Sequence, residues 1–152
     1  MKINLENSSN RKVLGYLHSN HKAAIYEDSS PESANLYDLQ TYPDNVAVLW
    51  NDFANKLPEK CQWVIHDTAV LVNPKTGIIF GIMIGNYPAL LRLNESQRSK
   101  IIRTGGASFQ LTNQDGVYAN SKDYGVDWLY CFSFIENIDE YCLSAYEYAN
   151  VS

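Results

Sequence analysis

The sequence TGIIFGIMIGNYPALLRL, residues Thr76 to Leu93, is the most apolar part of the chain. Its three glycines, Gly77, Gly81 and Gly85, follow one another at intervals of four residues. Such a run is compatible with a membrane helix that packs through small residues, with a phosphate-binding loop, or with the middle of a β-sheet. The alternatives predict a membrane component, a nucleotide-dependent enzyme and a soluble binding domain, respectively.

The residues around these glycines argue against a membrane helix and against a phosphate-binding loop. Asn86 and Pro88 interrupt the apolar run and Arg92 closes it, so the run falls short of the roughly 18 apolar residues that a membrane helix needs. A phosphate-binding loop of the GxxxxGK[ST] type needs a lysine after its last glycine, and none follows Gly85 within the run. We therefore expect Gly81 and Gly85 to mark a bulge, a turn or closely packed strands.

Turn residues divide this region into three predicted strands. Asn73–Gly77 contains a proline and a late glycine, and it joins Gln62–Val72 to Ile78–Ile84, two runs rich in valine and isoleucine. Gly85–Asn86 then turns the chain into a third strand, Tyr87–Leu93. The second run is apolar on both faces, which predicts a central strand that is covered on both sides.

Two further strands are predicted downstream. Ala107–Thr112 alternates between apolar and polar residues and is followed by a turn at Asn113–Gly116. Val126–Phe134 has the same alternation with larger side chains. The residues of this last run that share one face, which we expect to face the core, are Val126, Trp128, Tyr130, Phe132 and Phe134.

Three helices are predicted around the strands. Tyr42–Leu57 has an apolar stripe at helical spacing that must pack against the sheet. Asn94 is expected to cap a second helix, which Gly105–Gly106 ends. Asn137 and Glu140 have the spacing of a capping box at the start of a third. The apolar stripe of the third helix is Ile138, Cys142, Ala145, Tyr146 and Ala149.

This order of elements predicts an α+β fold. We expect a single domain over residues 1–152, with an antiparallel sheet of about five strands covered by three or four helices on one face. Val13–Tyr26 is compatible with either a strand or a helix, and a short helix is expected from Pro31.

The composition and charge of the chain limit its function. Hydrophobic residues make up 45% and charged residues 19%, as in ordinary globular proteins. The three cysteines form no CxxC pair, and the amino terminus lacks the apolar core of a secretory signal, so we expect free thiols and a cytoplasmic location. Net charge is −5, and Asp115–Ser152 contains seven acidic residues and one basic residue. This acidity opposes nucleic-acid binding, and it indicates either a solvated face or a basic partner.

Candidate catalytic and metal-binding residues form no complete set. His18 and His21 would share one face of a helix, but no third ligand is evident. His66 and Asp67 lie in a predicted strand, where neighbouring side chains point to opposite faces, so joint coordination is not expected. Cys61, in a predicted loop, is the only thiol with plausible access, and an enzyme would require it or the histidines to meet an acid in one cleft. We therefore predict no catalytic residues, no metal and no cofactor.

Tyrosine is abundant and often lies next to acidic residues. The chain has eleven tyrosines, a residue type that interfaces favour because it combines a large contact area with a polar tip. The alternative is that these tyrosines surround the core. An acidic, tyrosine-bearing surface beside the basic helix residues Arg98, Lys100 and Arg103 predicts protein recognition. The residues expected to bind a partner are Asp123, Tyr124, Asp127, Glu136, Asp139, Glu140 and Glu147.

Val64–Ala149 has a distinctive order of predicted motifs: a strand after a turn, a strand ending in LRL, a helix ending in Gly-Gly, a strand beginning with DW and an alanine-bearing helix. The residues that define these motifs are Leu91, Arg92, Leu93, Gly105, Asp127 and Trp128. In this layout the chain resembles the amino-terminal domain of the competence regulator TfoX and YjbR-like proteins. The resemblance implies a regulatory or small-ligand-binding module, for which a sheet face near Trp63 and His66 is the expected site.

In size, acidity and absence of a catalytic set, the chain also resembles the immunity proteins that neutralise bacterial polymorphic or contact-dependent toxins. This resemblance implies a non-enzymatic cytoplasmic protein. Its partner would be a cognate toxin with a basic surface, with neither nucleic acid nor a membrane involved. Of the two resemblances, toxin immunity is the function we expect, and the small-ligand module is the alternative.

Overall fold

The computed structural model describes residues 3–19, 28–29, 50–66, 68–83, 88–103, 107–108, 110–113, 116–120, 125–132 and 137–151, which contain four helices and nine strands. The helices are α1 (Ser8–Ser19), α2 (Asn51–Lys56), α3 (Glu95–Arg103) and α4 (Ile138–Asn150). The strands are β1 (Asp28–Ser29), β2 (Gln62–Ile65), β3 (Thr68–Val72), β4 (Ile79–Met83), β5 (Pro88–Arg92), β6 (Ala107–Ser108), β7 (Gln110–Asn113), β8 (Gly116–Asn120) and β9 (Trp128–Phe132).

Seven of these strands form one sheet. Their order is β1-β2-β3-β4-β5-β9-β6, and every neighbouring pair is antiparallel. The five inner strands, β2 to β5 and β9, have four or five residues each, whereas β1 and β6 have two. Strands β7 and β8 pair with each other as a separate hairpin. The predicted α+β class with an antiparallel sheet is confirmed.

The sheet is covered on both faces, and the expectation that helices cover only one was wrong. All five residues of β3 and of β4 are buried, which requires a cover on each side. On one face, the buried stripe of α4 packs with Trp50, Leu71, Phe80 and Ile101. On the other face, Val13 and Leu17 of α1 pack with residues that include Val70, Ile82, Trp128 and Tyr130. The second cover comes from α1, whose sequence was ambiguous between strand and helix.

The turn predicted at Asn73–Gly77 is confirmed and joins β3 to β4. The Asn73 side-chain oxygen accepts a hydrogen bond from the Lys75 N–H at 2.9 Å, as in an Asx turn. The Gly77 N–H donates to the Asn73 carbonyl at 2.8 Å, and Gly77 has a φ of 70°, a conformation that glycine adopts readily. Because the apolar run forms strands β4 and β5 after this turn, it is part of the sheet. Among the described helices, none has the length and apolar character to cross a membrane.

Gly81 lies at a bulge, as predicted. Leu71 pairs with Gly81, but the next residue of β3, Val72, pairs with Ile79, so β4 holds one extra residue, Phe80. A Cβ atom at Gly81 would lie 2.8 Å from Leu71 Cδ1 and 3.1 Å from Leu71 Cβ, closer than packed carbon atoms approach. A larger residue at position 81 therefore requires the Leu71 side chain to move. Position 85 lies outside the described residues.

Two predicted strands are each divided in the structure. Gln62–Val72 contains a tight turn, because Ile65 pairs with Thr68 across positions 66 and 67 and His66 has a φ of 47°. The prediction of one strand was wrong, because position 66, which has the positive φ, is a histidine and lacks the glycine or asparagine that usually marks such a turn. Ala107–Thr112 is divided between β6 in the main sheet and β7 in the hairpin.

The two predicted helix caps have different outcomes. The Gln97 N–H donates to the Asn94 side-chain oxygen at 2.9 Å, which confirms Asn94 as the cap of α3. Asn137 is the N-cap residue of α4, as predicted, but it has the left-handed conformation, with a φ of 70°, and makes no side-chain cap hydrogen bond. The side-chain bond of Asn137 that a capping box with Glu140 requires is therefore not formed.

The predicted apolar faces are confirmed in part. In α4, Cys142, Ala145, Tyr146 and Ala149 are buried, and Ile138 packs against the core half-buried. In β9, Trp128 and Tyr130 are buried, but Val126 precedes the strand and is 70% exposed. The side chains of Phe132 and Phe134, and the expected helix from Pro31, lie outside the described part of the chain. Of the helix predicted over Tyr42–Leu57, the described part forms α2 at Asn51–Lys56, with Trp50 buried before it, and positions 42–49 lie outside the described residues.

Candidate functional site

Asp127 lies at the centre of a charged cluster that joins three elements of the fold. The Arg92 Nη2 atom of β5 is 3.6 Å from Asp127 Oδ2, and the Arg98 Nη1 atom of α3 is 3.3 Å from Asp127 Oδ1. The Tyr148 hydroxyl of α4 donates to Asp127 Oδ2 at 3.4 Å. We call Arg92, Arg98, Asp127 and Tyr148 the Arg92 cluster. It contains two guanidinium groups and one carboxylate.

Local pairing explains how the Arg92 cluster forms. Strand β5 pairs with β9 so that Arg92 lies opposite Trp128, and the Leu93 N–H donates to the Asp127 carbonyl at 2.9 Å. Asn94 then caps α3 and starts its first turn, which brings Arg98 back beside the Leu93 carbonyl and Asp127. The sequence LRLNESQR at positions 91–98 therefore delivers both arginines to one carboxylate.

The burial of Arg92 makes the contacts of its guanidinium group necessary. Arg92 is 6% exposed, and a buried guanidinium group needs charged and polar neighbours to offset the loss of water. Its carbon Cζ lies 4.5 Å from the centre of the Tyr148 ring, a cation–π contact. Asp127, which we predicted to bind a partner, has a side chain that is 32% exposed and shares its charge between two arginines.

A cavity of about 370 Å³ opens beside the Arg92 cluster. Ser8, Ser9 and Lys12 of α1 form one wall, and Arg92 forms another with the segment at positions 125–128. Gly125 has a φ of 133°, a conformation that residues with side chains rarely adopt. No local pattern predicted this cavity, because Ser8 and Arg92 are brought together by the packing of α1 against the sheet.

The remaining described residues of the predicted partner surface lie on α4. Glu140 and Glu147 are exposed. Asp139 forms an ion pair with Lys56 of α2, with 2.6 Å between Lys56 Nζ and Asp139 Oδ2, and this hydrogen bond raises the pKa of Lys56. Asp123, Tyr124 and Glu136 lie outside the described residues. The structure therefore places Asp139, Glu140 and Glu147 on one helix and connects Asp127 to that helix through Tyr148.

A second polar cluster, which we did not predict, ties α4 to two loops. The Tyr146 hydroxyl donates to Glu59 Oε2 at 2.5 Å, and Lys75 Nζ lies 3.5 Å from the same oxygen. The hydrogen bond to Glu59 raises the pKa of Tyr146, and the charge of Glu59 raises the pKa of Lys75. Because the phenol stays protonated, this cluster is suited to holding α4 in place. Tyr146 was predicted only as a core residue, since its hydroxyl partner is 87 residues away in the sequence.

The expectation that Cys61 is accessible was wrong. Cys61 directly precedes β2 and is buried against α4, and burial together with the charge of Glu59 raises the pKa of its thiol to about 12. Burial likewise raises the pKa of Cys131 to about 12 and that of Cys142 well above its ordinary value. A neutral, buried thiol is a poor nucleophile. His66 follows the other end of β2, so the strand separates Cys61 from His66.

The other metal and ligand candidates find no support in the described residues. His66 is buried in the turn after β2, not in a strand as predicted. No group of three or more His, Cys, Asp or Glu in the described ranges is arranged to hold a metal ion. The side chain of His18, together with His21 and Asp67, lies outside those ranges. Neither the 370 Å³ cavity nor one of about 480 Å³ beside the β3–β4 turn is lined by Trp63 or His66.

Comparison of the chain with protein-family models, with curated proteins and with solved structures finds no match. The resemblances to toxin-immunity proteins and to TfoX and YjbR-like proteins therefore stay predictions from the sequence.

Proposed function

We propose that this protein is a non-enzymatic immunity protein, which binds a cognate bacterial toxin with a basic surface through the exposed face of α4. The observation that carries the proposal is the position of Glu140 and Glu147. They are exposed and seven residues apart, which is close to two turns of roughly 3.6 residues each, so they lie on the same side of the helix. The opposite side is buried against the sheet.

The helix that presents these glutamates is held at several points. The Asn73 side-chain N–H donates to the Asn150 side-chain oxygen at 2.6 Å, and the Thr76 hydroxyl donates to the Ala149 carbonyl at 3.0 Å. In the same half of α4, the Tyr146 hydroxyl donates a hydrogen bond to Glu59. A surface that is already rigid loses little conformational entropy on binding, which favours tight inhibition.

The charge of the protein suits a basic partner. The net charge is −5, and the exposed glutamates add to it on α4, while Lys56 offsets Asp139. Complementary fields raise association rates by about 10-fold to 1,000-fold at low salt. An inhibitor of this kind acts by covering the toxin's working surface, so it needs no reactive groups of its own.

The proposal is tested by mixing the purified protein with the product of the neighbouring gene. We expect a complex whose dissociation constant rises at least about tenfold between about 50 mM and about 300 mM salt, as an interface steered by charge requires. The toxic activity of the partner should be lost in the complex. Absence of a complex, or a complex that leaves the toxin active, would contradict the proposal.

A further inference from the structure

From the hydrogen bonds of the β3–β4 turn, we infer that this turn couples the two helical covers of the sheet. The segment Ile3–Asn7, which precedes α1 and which we call the strap, docks on the last residue of the turn. The end of α4 is held by the residues before it. Release of the strap therefore loosens the end of α4. The coupling belongs to this chain alone, so it does not rest on the proposed toxin binding, although it acts on the same helix.

The strap and the start of α1 hold the turn through Gly77. The Asn4 N–H donates to the Gly77 carbonyl at 2.9 Å, and the side-chain nitrogen of Asn10 donates to the same carbonyl at 2.8 Å. That nitrogen also donates to the Asn4 carbonyl at 2.8 Å, and the Asn10 side-chain oxygen accepts from the Ile79 N–H at 2.9 Å. Asn10 is fully buried, so water does not readily replace these bonds when the side chain is removed.

The residues before Gly77 hold the last turn of α4. Asn73 is also fully buried, and its side-chain N–H donates to the Asn150 side-chain oxygen at 2.6 Å. The Thr76 hydroxyl donates to the Ala149 carbonyl at 3.0 Å. One short turn therefore bonds the strap at its last residue and α4 through its earlier residues, on opposite covers of the sheet.

The two sets of contacts share one closed unit. The Gly77 N–H donates to the Asn73 carbonyl at 2.8 Å, and the Asn73 N–H donates to the Ile78 carbonyl at 2.9 Å. The Asn73 side-chain oxygen accepts from the N–H groups of Lys75 and Thr76. Because these bonds close the turn on itself, a displacement of Gly77 moves the groups that hold α4. Coupling between two sites requires such a shared network and an element in it that has two arrangements.

The strap is the element that has two arrangements. Leu5 is 53% exposed, and among the strap residues only Ile3 is buried. A cavity of about 480 Å³ separates residues 3–6 of the strap from positions 74–77 of the turn, so the strap is held to the turn mainly through the bonds at Gly77. Segments with few buried apolar contacts open at a low cost in free energy. The two arrangements are a docked and a released strap.

Amide hydrogen exchange of the full chain, followed by NMR, tests the coupling. Asn10→Ala removes the bonds of the Asn10 side chain and leaves every bonding group between the turn and α4 in place. We expect the amides at positions 147–150 to exchange at least about tenfold faster, relative to the amides of β5, which report global unfolding.

Val13→Ala is the matched control on α1. Val13 lies three residues after Asn10 and is buried against the sheet, but its side chain has no polar atom that could bond the turn. This substitution should change the exchange ratio at positions 147–150 less than about threefold, because it weakens packing without cutting the coupled network. Equal effects of Asn10→Ala and Val13→Ala would show general destabilisation and overturn the inference.

A perturbation on the α4 side of the turn should be felt by the strap. Thr76→Val removes the hydroxyl that donates to the Ala149 carbonyl, whereas Thr76→Ser keeps it. Because coupling is reciprocal, Thr76→Val should speed exchange of the Asn4 N–H at least about threefold, and Thr76→Ser should leave it unchanged. This pair gives a result even where Asn10→Ala does not fold. Faster exchange confined to the substituted side of the turn would overturn the inference. No toxin is present in these measurements, so their outcome is separate from that of the proposed immunity function.

Discussion

Arg92 and Tyr148 are in contact, with the guanidinium carbon of Arg92 4.5 Å from the centre of the Tyr148 ring, and both side chains meet Asp127. This contact joins the end of β5 to the last turns of α4. It places a buried positive charge beneath the helix whose outer face we propose as the toxin-binding surface. The stability of that helix and the charge balance of the Arg92 cluster are therefore linked.

Neutralising Asp127 should destabilise the protein. Asp127→Asn removes the charge that faces Arg92 and Arg98, and breaking a fully buried pair costs about 3 to 5 kcal/mol. Because Asp127 is 32% exposed and its contacts are longer than ideal, we expect the free energy of unfolding to fall by about 1 to 2 kcal/mol. Urea unfolding of the wild-type protein and of Asp127→Asn measures this fall in the free energy of unfolding. Glu147→Gln, at an exposed position of α4, is the control and should change stability by less than about 0.5 kcal/mol. Equal stabilities of the two variants would refute the role of the cluster.

Two glycine substitutions should have opposite effects. Gly81→Ala brings a Cβ atom to within 2.8 Å of Leu71, so we expect a loss of about 1 to 3 kcal/mol from overpacking between β3 and β4. Gly15→Ala places a methyl group where nothing lies within 4 Å, in the middle of α1, and alanine has the higher helix propensity. It should therefore raise stability by about 0.5 to 1 kcal/mol. Thermal unfolding of both variants measures the two changes in stability. A Gly81→Ala variant as stable as the wild-type protein would mean that the bulge is less tightly packed than described.

The buried thiols predict how the protein responds to alkylation and to alkali. Burial raises the pKa of Cys61 from 9.0 to about 12, so iodoacetamide at pH about 8 should react with Cys61 roughly 1,000-fold more slowly than with the unfolded chain. Since the folded state holds the proton more tightly, this contribution to stability is complete below pH 9.0 and is lost as pH rises toward 12. Peptide mass spectrometry, with and without urea, measures the rate at which iodoacetamide alkylates Cys61. Rapid labelling of native Cys61 would show that it is accessible after all.

Features specified by neighbouring residues were predictable from the sequence. The Asn73–Gly77 turn, the cap at Asn94 and the buried stripe of α4 each depend on residues within a few positions of one another. The bulge at Gly81 was also indicated, because a glycine in an apolar strand marks close packing. These signals were sufficient for the α+β class and for the two strands within the apolar run, β4 and β5.

Features that depend on contacts between distant segments were not predictable. Tyr146 meets Glu59 across 87 residues and Arg98 meets Asp127 across 29, and no local pattern encodes either contact. The burial of Cys61 depends on α4 packing over the residue before β2. The turn at His66 adopts a positive φ without the usual glycine, so the local signal was absent.

The most direct test of the proposed function compares two pairs of substitutions that change net charge by the same amount. Glu140→Gln with Glu147→Gln removes the exposed charges of α4, and Glu6→Gln with Glu95→Gln removes exposed charges elsewhere. Affinity for the neighbouring gene's product is measured at about 50 mM salt, where charge effects are least screened. We predict that the first pair weakens binding at least about tenfold and the second less than about threefold, because only the first alters the contact surface. Equal weakening by the two pairs, or no weakening by the first, would contradict binding through α4.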